Sequence, residues 1–353
     1  MSAAVSPEKI LQFEPRIIGQ FAQFCAALAI CSDLDETPDA DTYFELMRFL
    51  NTTENTSMGP GVGLEIGNSI YFDMAPGRFS YWNTSEENRE KIRKLVRSGH
   101  IDCLHSFGDL ATTRAHAARA LEELERHDCR LKVWVDHSKA PTNFGSDIMH
   151  GHGDDPKHAA YHADLTIAHG IRYIWRGRVT SVIGQARPFS LEGIANWRRP
   201  LASARTLAKE AVKQALACSG NAKYRLHRAN QLVQSARLRN GCDKTVEFLR
   251  CNPHFSGVSC GDTGDGIAEV LTENFLKRLI ERKGACILYT HLGKLNGKRQ
   301  FSEATVQAFR RLAQYQQSGR IAVMTTSRLL GNLFKVDDIA PFSSLSPSSF
   351  PKI

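Results

Sequence analysis

The chain has 353 residues, a formal net charge of +8, and 42% hydrophobic and 23% charged residues, the proportions of a globular protein with a sizeable core. It contains no apolar run of about 18 residues, which excludes a transmembrane helix. Its opening residues lack the basic and apolar regions of an export signal, so a cytoplasmic location is expected. The nine cysteines are scattered without a Cys-x-x-Cys pair. That argues for reduced core thiols rather than a disulfide framework or a cysteine-built zinc site.

Taken in chain order, β-rich apolar runs predict strands at Ala27–Cys31, Gly63–Ile66 with Ser69–Phe72, Ile101–Leu104 and Leu131–Val135. Further strands are expected at Ile171–Trp175, Val246–Leu249, Ala285–Tyr289 and Ile321–Met324. Apolar residues at three- and four-residue spacing predict helices over Asn88–Arg97 and Thr113–His127. Helices are also expected from near Pro38, from Pro156 and over Ala202–Cys218. Alternating units of this kind build a parallel sheet, and seven or eight of them predict an α/β fold, a (β/α) barrel that is closed or partly open. One domain is expected over residues 1–335, with a basic helical insertion at about 187–245 and a poorly ordered tail at 336–353.

Several of these runs end in polar residues suited to chemistry. Asp33 and Asp35 follow the first, two positions apart, so their side chains point the same way if the strand continues. His105 and Asp109 follow the third, Asp136 and His137 the fourth, Arg176 the fifth, and Thr290 and His291 the seventh. In a βα barrel these strand ends lie together on one face. Carboxylates and imidazoles together suit a divalent ion such as zinc, manganese, iron or nickel. A carboxylate off the metal can act as general base and a histidine as general acid. A solvated loop capping the helix near Pro38 is the plain alternative for Asp33 and Asp35. No Gly-x-Ser-x-Gly, Gly-x-Gly-x-x-Gly or Walker sequence is present, which argues against a serine nucleophile and a nucleotide cofactor.

The segments Cys31-Ser32-Asp33-Leu34-Asp35, His105-Ser106-Phe107-Gly108-Asp109, Val133-Trp134-Val135-Asp136-His137 and Leu288-Tyr289-Thr290-His291 occur in an order along the chain. So do Gly153-Asp154-Asp155-Pro156 and Tyr161-His162-Ala163-Asp164. Together they resemble the polysaccharide deacetylase-like branch of the glycoside hydrolase/deacetylase barrels, particularly members associated with surface-polysaccharide biosynthesis. The resemblance implies a metal-dependent hydrolase that removes an acyl group from a carbohydrate or sugar conjugate. It makes Asp33 the general base, His291 the general acid, and Asp35 and His105 ligands of one divalent ion. Asp109 stands where the family carries a second histidine, which leaves the third ligand open between Asp109 and His137.

The ligand-dense segment His150–His162 reads most simply as a loop capping a helix, with His158 and His162 on one helical face. As a loop over the barrel mouth it offers His152, Asp155 and His162, alongside Arg176, as substrate contacts. The Gly261–Gly266 loop is explained by turn and capping chemistry. Between Arg187 and Arg250 there are thirteen Lys/Arg against four Asp/Glu. No interleaved aromatic motif accompanies them, so nucleic acid is not the expected partner. The excess reads as a solvated helical excursion, or as an attraction for an anionic sugar conjugate. Two other readings compete for the site. Asp33-Leu34-Asp35-Glu36-Thr37 matches the signature of magnesium-dependent haloacid dehalogenase-type phosphatases, and an imperfect site suits a barrel that binds glycan without catalysis.

Overall fold

The computed structural model describes residues 24–242, 245–297 and 299–333. The opening segment read for export and the tail at 336–353 lie outside the described residues. The strands are β1 (Ala26–Ser32), β2 (Asn55–Thr56), β3 (Gly59–Pro60), β4 (Gly67–Ile70), β5 (Ile101–His105), β6 (Val133–Val135) and β7 (Tyr173–Trp175). They continue with β8 (Val179–Thr180), β9 (Val233–Ala236), β10 (Thr245–Phe248), β11 (Arg250–Cys251), β12 (Ala285–Thr290) and β13 (Ile321–Met324). Apart from the small β2–β3 hairpin they form one curled sheet in the order β8-β11-β12-β1-β4-β5-β6-β7-β10-β9, with β13 beside β1. All its pairings are parallel except β9 on β10. The architecture is an open, barrel-like α/β sheet rather than a closed ring. Leu249 alone separates β10, which pairs with β7, from β11, which pairs with β12 and β8.

All seven residues of β1 are buried, as expected of a parallel strand covered on both faces. Its side chains nevertheless sort by parity. Ala26, Leu28 and Ile30 pack outward with Phe275, Leu276, Phe309 and Leu312 of the covering helices. Ala27, Ala29 and Cys31 face inward with Cys103, Val133, Val135, Tyr173, Trp175, Phe248 and Ile287. Small residues on β1 leave room inside the curl for the aromatic side chains of β7.

The predicted helices at 88–97, 113–127 and 202–218 form as Glu86–Arg97, Arg114–Arg126 and Pro200–Cys218, and the helix near Pro38 forms as Ala40–Asn51. Two local expectations are corrected. The Gly63–Ile66 run is not a strand: the amides of Val62, Gly63 and Leu64 bond to Phe49, Thr52 and Leu50 carbonyls, closing the end of the Ala40–Asn51 helix. No helix begins at Pro156. The helix there is Ala163–His169, because Asp155 Oδ1 accepts the Lys157 amide and His158 Nδ1 accepts the Ala160 amide. These side-chain bonds compete with a helical turn, so His158 and His162 do not share a helical face.

Candidate active site

Five of the inward-facing rows of side chains run on into the site. Ala27, Ala29 and Cys31 are followed at the same parity by Asp33 and Asp35. Cys103 is followed by His105, Val133 and Val135 by His137, Phe248 by Arg250, and Ile287 and Tyr289 by His291. The two-residue period of a strand therefore brings six charged or titratable groups to one end of the curl. The turns that follow are strained. Glu36, Ser106 and Ser138, each immediately after a site residue, have φ of 60°, 49° and 42°, a left-handed conformation that non-glycine residues adopt at a cost. Gly108 at φ +100° approaches the Asp73 backbone so closely that a Cβ there would lie 2.3 Å from its carbonyl oxygen. Only glycine fits that turn, and the turn delivers Asp109.

Asp35, His105 and His137 converge, with one donor atom of each within 4.8 Å of the others. His137 Nδ1 lies 3.1 Å from Asp35 Oδ1 and 3.3 Å from His105 Nε2. Donors about 2.0–2.2 Å from a tetrahedral ion stand about 3.3–3.6 Å from one another, so these separations suit a shared cation. Asp35 Oδ1 is buried and makes no well-directed hydrogen bond despite the nearby imidazole. Its charge is held well below the usual carboxylate range: burial opposes ionisation, but His105, His137 and His291 outweigh it. Burial pushes His105 down to about 4, against the pull of Asp33 and Asp35, leaving a neutral imidazole with Nε2 toward the group. His105 Nδ1 is buried without an acceptor.

Asp109 stands outside this convergent set. Its Oδ1 lies 2.8 Å from His137 Nε2, at the more exposed mouth. A carboxylate on the far nitrogen of a ligating imidazole orients the ring and strengthens its donor atom. Burial disfavours the His137 cation, yet Asp109 and Asp35 together raise it to about 10. The His137 main chain is fixed as well: its amide donates to Asn143 Oδ1 and its carbonyl accepts from Asn143 Nδ2. Asp136, fully buried, accepts from Trp134 Nε1 and from the Phe144 and Gly145 amides. It anchors the loop that carries Asn143.

Asp33 sits deeper. Arg250 Nη1 and Nη2 reach its two oxygens at 2.7 and 3.0 Å, and His105 Nε2 lies 3.9 Å away. Burial opposes its charge, but Arg250 and then His105 hold the carboxyl below its ordinary value. The guanidinium is itself buried, 4.0 Å from the Trp175 ring centre. Arg250 is not among the expected site residues, although the alternation Phe248-x-Arg250 at the end of a predicted strand is the signal that marks it.

His291 Nε2 lies 3.3 Å from Asp35 Oδ2, and Nδ1 donates to the Asp262 carbonyl at 2.9 Å. Burial opposes its protonation, but Asp35 and Asp33 raise it to about 8. A second group of possible metal donors, Asp33, Asp35 and His291, overlaps the first through Asp35. The Gly261–Gly266 loop thus does more than turn the chain, since Asp262 supplies the acceptor that sets the His291 tautomer.

The expected substrate contacts are scattered. His162 is fully buried against Phe107, Trp134 and Phe144. Its Nε2 donates to the Thr142 carbonyl, its Nδ1 pairs with the Thr166 hydroxyl, and burial pushes it down to about 4. It is a satisfied core histidine. Asp155 caps a turn. His152 stacks on His158 with ring centres 4.0 Å apart. Arg176 binds Glu247, which also takes Arg178. None of the four joins the cluster around Asp35.

This arrangement is a polar centre with two groups of possible metal donors, sharing Asp35, at the strand ends of a curled α/β sheet. No family model and no curated protein matches the sequence. Among solved structures the chain is similar to PuuE allantoinase in its crystal structure, at 10% identity and a TM-score of 0.41, over 88% of this chain and 90% of that one.

Proposed function

We propose that this chain is a metal-dependent hydrolase that removes an acyl group from a carbohydrate or sugar conjugate. The observation that carries the proposal is the convergence of Asp35, His105 and His137 on one point, with Asp109 behind His137. Asp35, His105 Nε2 and His137 Nδ1 would hold the ion, which supplies Lewis-acid polarisation of a carbonyl and a water.

The remaining residues divide the proton work. Asp33, ionised and oriented by Arg250, accepts a proton from the attacking water. His291, held toward its cationic form, protonates the departing amine or alcohol. Two groups whose environments push their protonation apart form an acid–base pair. The phosphatase reading gives no role to His105, His137 and His291, which gather around Asp35.

Elemental analysis of protein purified without chelator tests the proposal, with about one divalent ion per chain expected. Acetate release from N- and O-acetylated sugars then reads the reaction. A chain that stays metal-free after incubation with zinc or manganese would overturn the hydrolase reading and leave a glycan-binding barrel. A phospho-enzyme formed on Asp33 would favour the phosphatase.

A further inference from the structure

The helix Pro200–Cys218 is amphipathic in the inverted sense. Its inner face is polar and docked by hydrogen bonds. Thr206 Oγ1 donates to the Phe255 carbonyl at 2.7 Å, Glu210 accepts from the Thr180 hydroxyl at 2.8 Å, and Lys213 Nζ bonds to Glu210 and to the Val179 carbonyl. Its outer face is apolar. Leu201 is 86% exposed, Val212 58% and Leu216 36%, and Trp197 just before the helix is 90% exposed. Between the two leucines the same stripe carries the exposed residues Ala204, Ala208, Ala211 and Ala215. The spacing of these positions is that of a buried helix face, yet among the described residues nothing covers it.

The charges beside the stripe are mostly cationic; the carboxylate nearest Trp197, Arg198 and Arg199 across the adjoining cavity, Glu269, lies 2.8 Å from His254 Nε2. Arg198 and Arg199 precede the helix, Arg205 lies within the stripe between Val212 and Leu216 around the helix axis, and Lys209 borders it. Among the described residues none of these four side chains makes an ion pair. The one acidic residue of the helix, Glu210, is buried and already bonded on the opposite face. A second copy docked on this stripe would bring cationic flanks against an apolar face with no carboxylate to receive them. A surface of anionic headgroups over an apolar layer complements both features, with tryptophan at the boundary and arginines on phosphate.

We propose that Trp197 and the outer face of Pro200–Cys218 lie on an anionic lipid surface. The apolar stripe enters the headgroup–acyl boundary, and Arg198, Arg199, Arg205 and Lys209 contact phosphates. No described helix is long and apolar enough to cross a membrane, so this is adsorption and not insertion across the bilayer.

The full chain is incubated with vesicles of phosphatidylcholine alone and of phosphatidylcholine mixed with phosphatidylglycerol, then sedimented. Binding is expected only with the anionic vesicles and is expected to weaken with salt. Trp197→Glu and Leu201→Glu should each lower the bound fraction about tenfold or more. Both side chains are exposed, so circular dichroism should be unchanged. The tryptophan emission of the wild type should shift to the blue on binding, and the shift should vanish in Trp197→Ala. Failure to sediment with anionic vesicles overturns the proposal, as does binding that both glutamate variants retain. Lipid-free self-association that Leu201→Glu abolishes would assign the face to a second copy instead. An emission component of Trp197 that is already shielded without vesicles would assign it to another part of the chain.

Discussion

Arg250 grips Asp33 through both terminal nitrogens, at 2.7 and 3.0 Å, across a sequence separation of 217 residues. Both partners are almost wholly buried. Removing one partner of a buried pair leaves the other uncompensated, a loss of about 3–5 kcal/mol. Arg250→Met and Asp33→Asn should each destabilise the fold substantially, with the double variant less destabilised than the sum of the two. A double-mutant cycle by chemical denaturation measures the coupling. Simple additivity would show that the pair does not act as a unit.

The donor set predicts an order of metal loss. Asp35→Asn, His105→Ala and His137→Ala should each abolish stoichiometric binding. Asp109→Asn removes only the carboxylate behind His137 and should weaken affinity by roughly 10–100-fold. Calorimetric titration of the metal-stripped chain with zinc distinguishes these outcomes. If Asp109→Asn were as damaging as His137→Ala, Asp109 would be a ligand.

Catalysis should separate from metal binding. Asp33→Asn is expected to keep the ion while lowering the deacylation rate by roughly 10²-fold or more, the usual scale for a general base. His291→Asn should also retain the ion, and should be least damaging for substrates whose leaving group needs no proton. Rates and metal content measured on the same preparations check both statements. A variant that loses both properties together would place that residue on the metal.

His162 predicts the acid behaviour of the fold. Its native value, about 4, lies below the ordinary 6.5, so between these values the unfolded chain binds more protons than the native one. The stability it contributes is fully present above about pH 6.5 and is lost as pH falls toward about 4, by roughly 1 kcal/mol per pH unit. His105 acts in the same direction. Denaturation midpoints at about pH 7.5 and about pH 5 should differ less in His162→Gln than in the wild type. An unchanged difference would show that His162 does not sense this range.

Much of the architecture is legible along the chain because strand runs and strand ends are local. The eight apolar runs announce the curled sheet, and a period of two carries Ala27, Ala29 and Cys31 on to Asp33 and Asp35 as it carries Cys103 on to His105. That parity, together with the common direction of parallel strands, is what leads the sequence to an expectation of Asp33, Asp35, His105, His137 and His291 at one end. What tertiary structure alone decided was which of them touch. The Asp33–Arg250 pair joins the end of β1 to β11, one strand beyond β12, and no local pattern encodes a contact across 217 residues. The division between His137 as convergent donor and Asp109 as its support depends on the left-handed turn at Ser106 and Gly108. The ligand-rich segment at 150–162 misled for the complementary reason. Composition counts imidazoles, but burial chose His162 for the core, where aromatic neighbours and the Thr142 carbonyl satisfy it as a neutral ring.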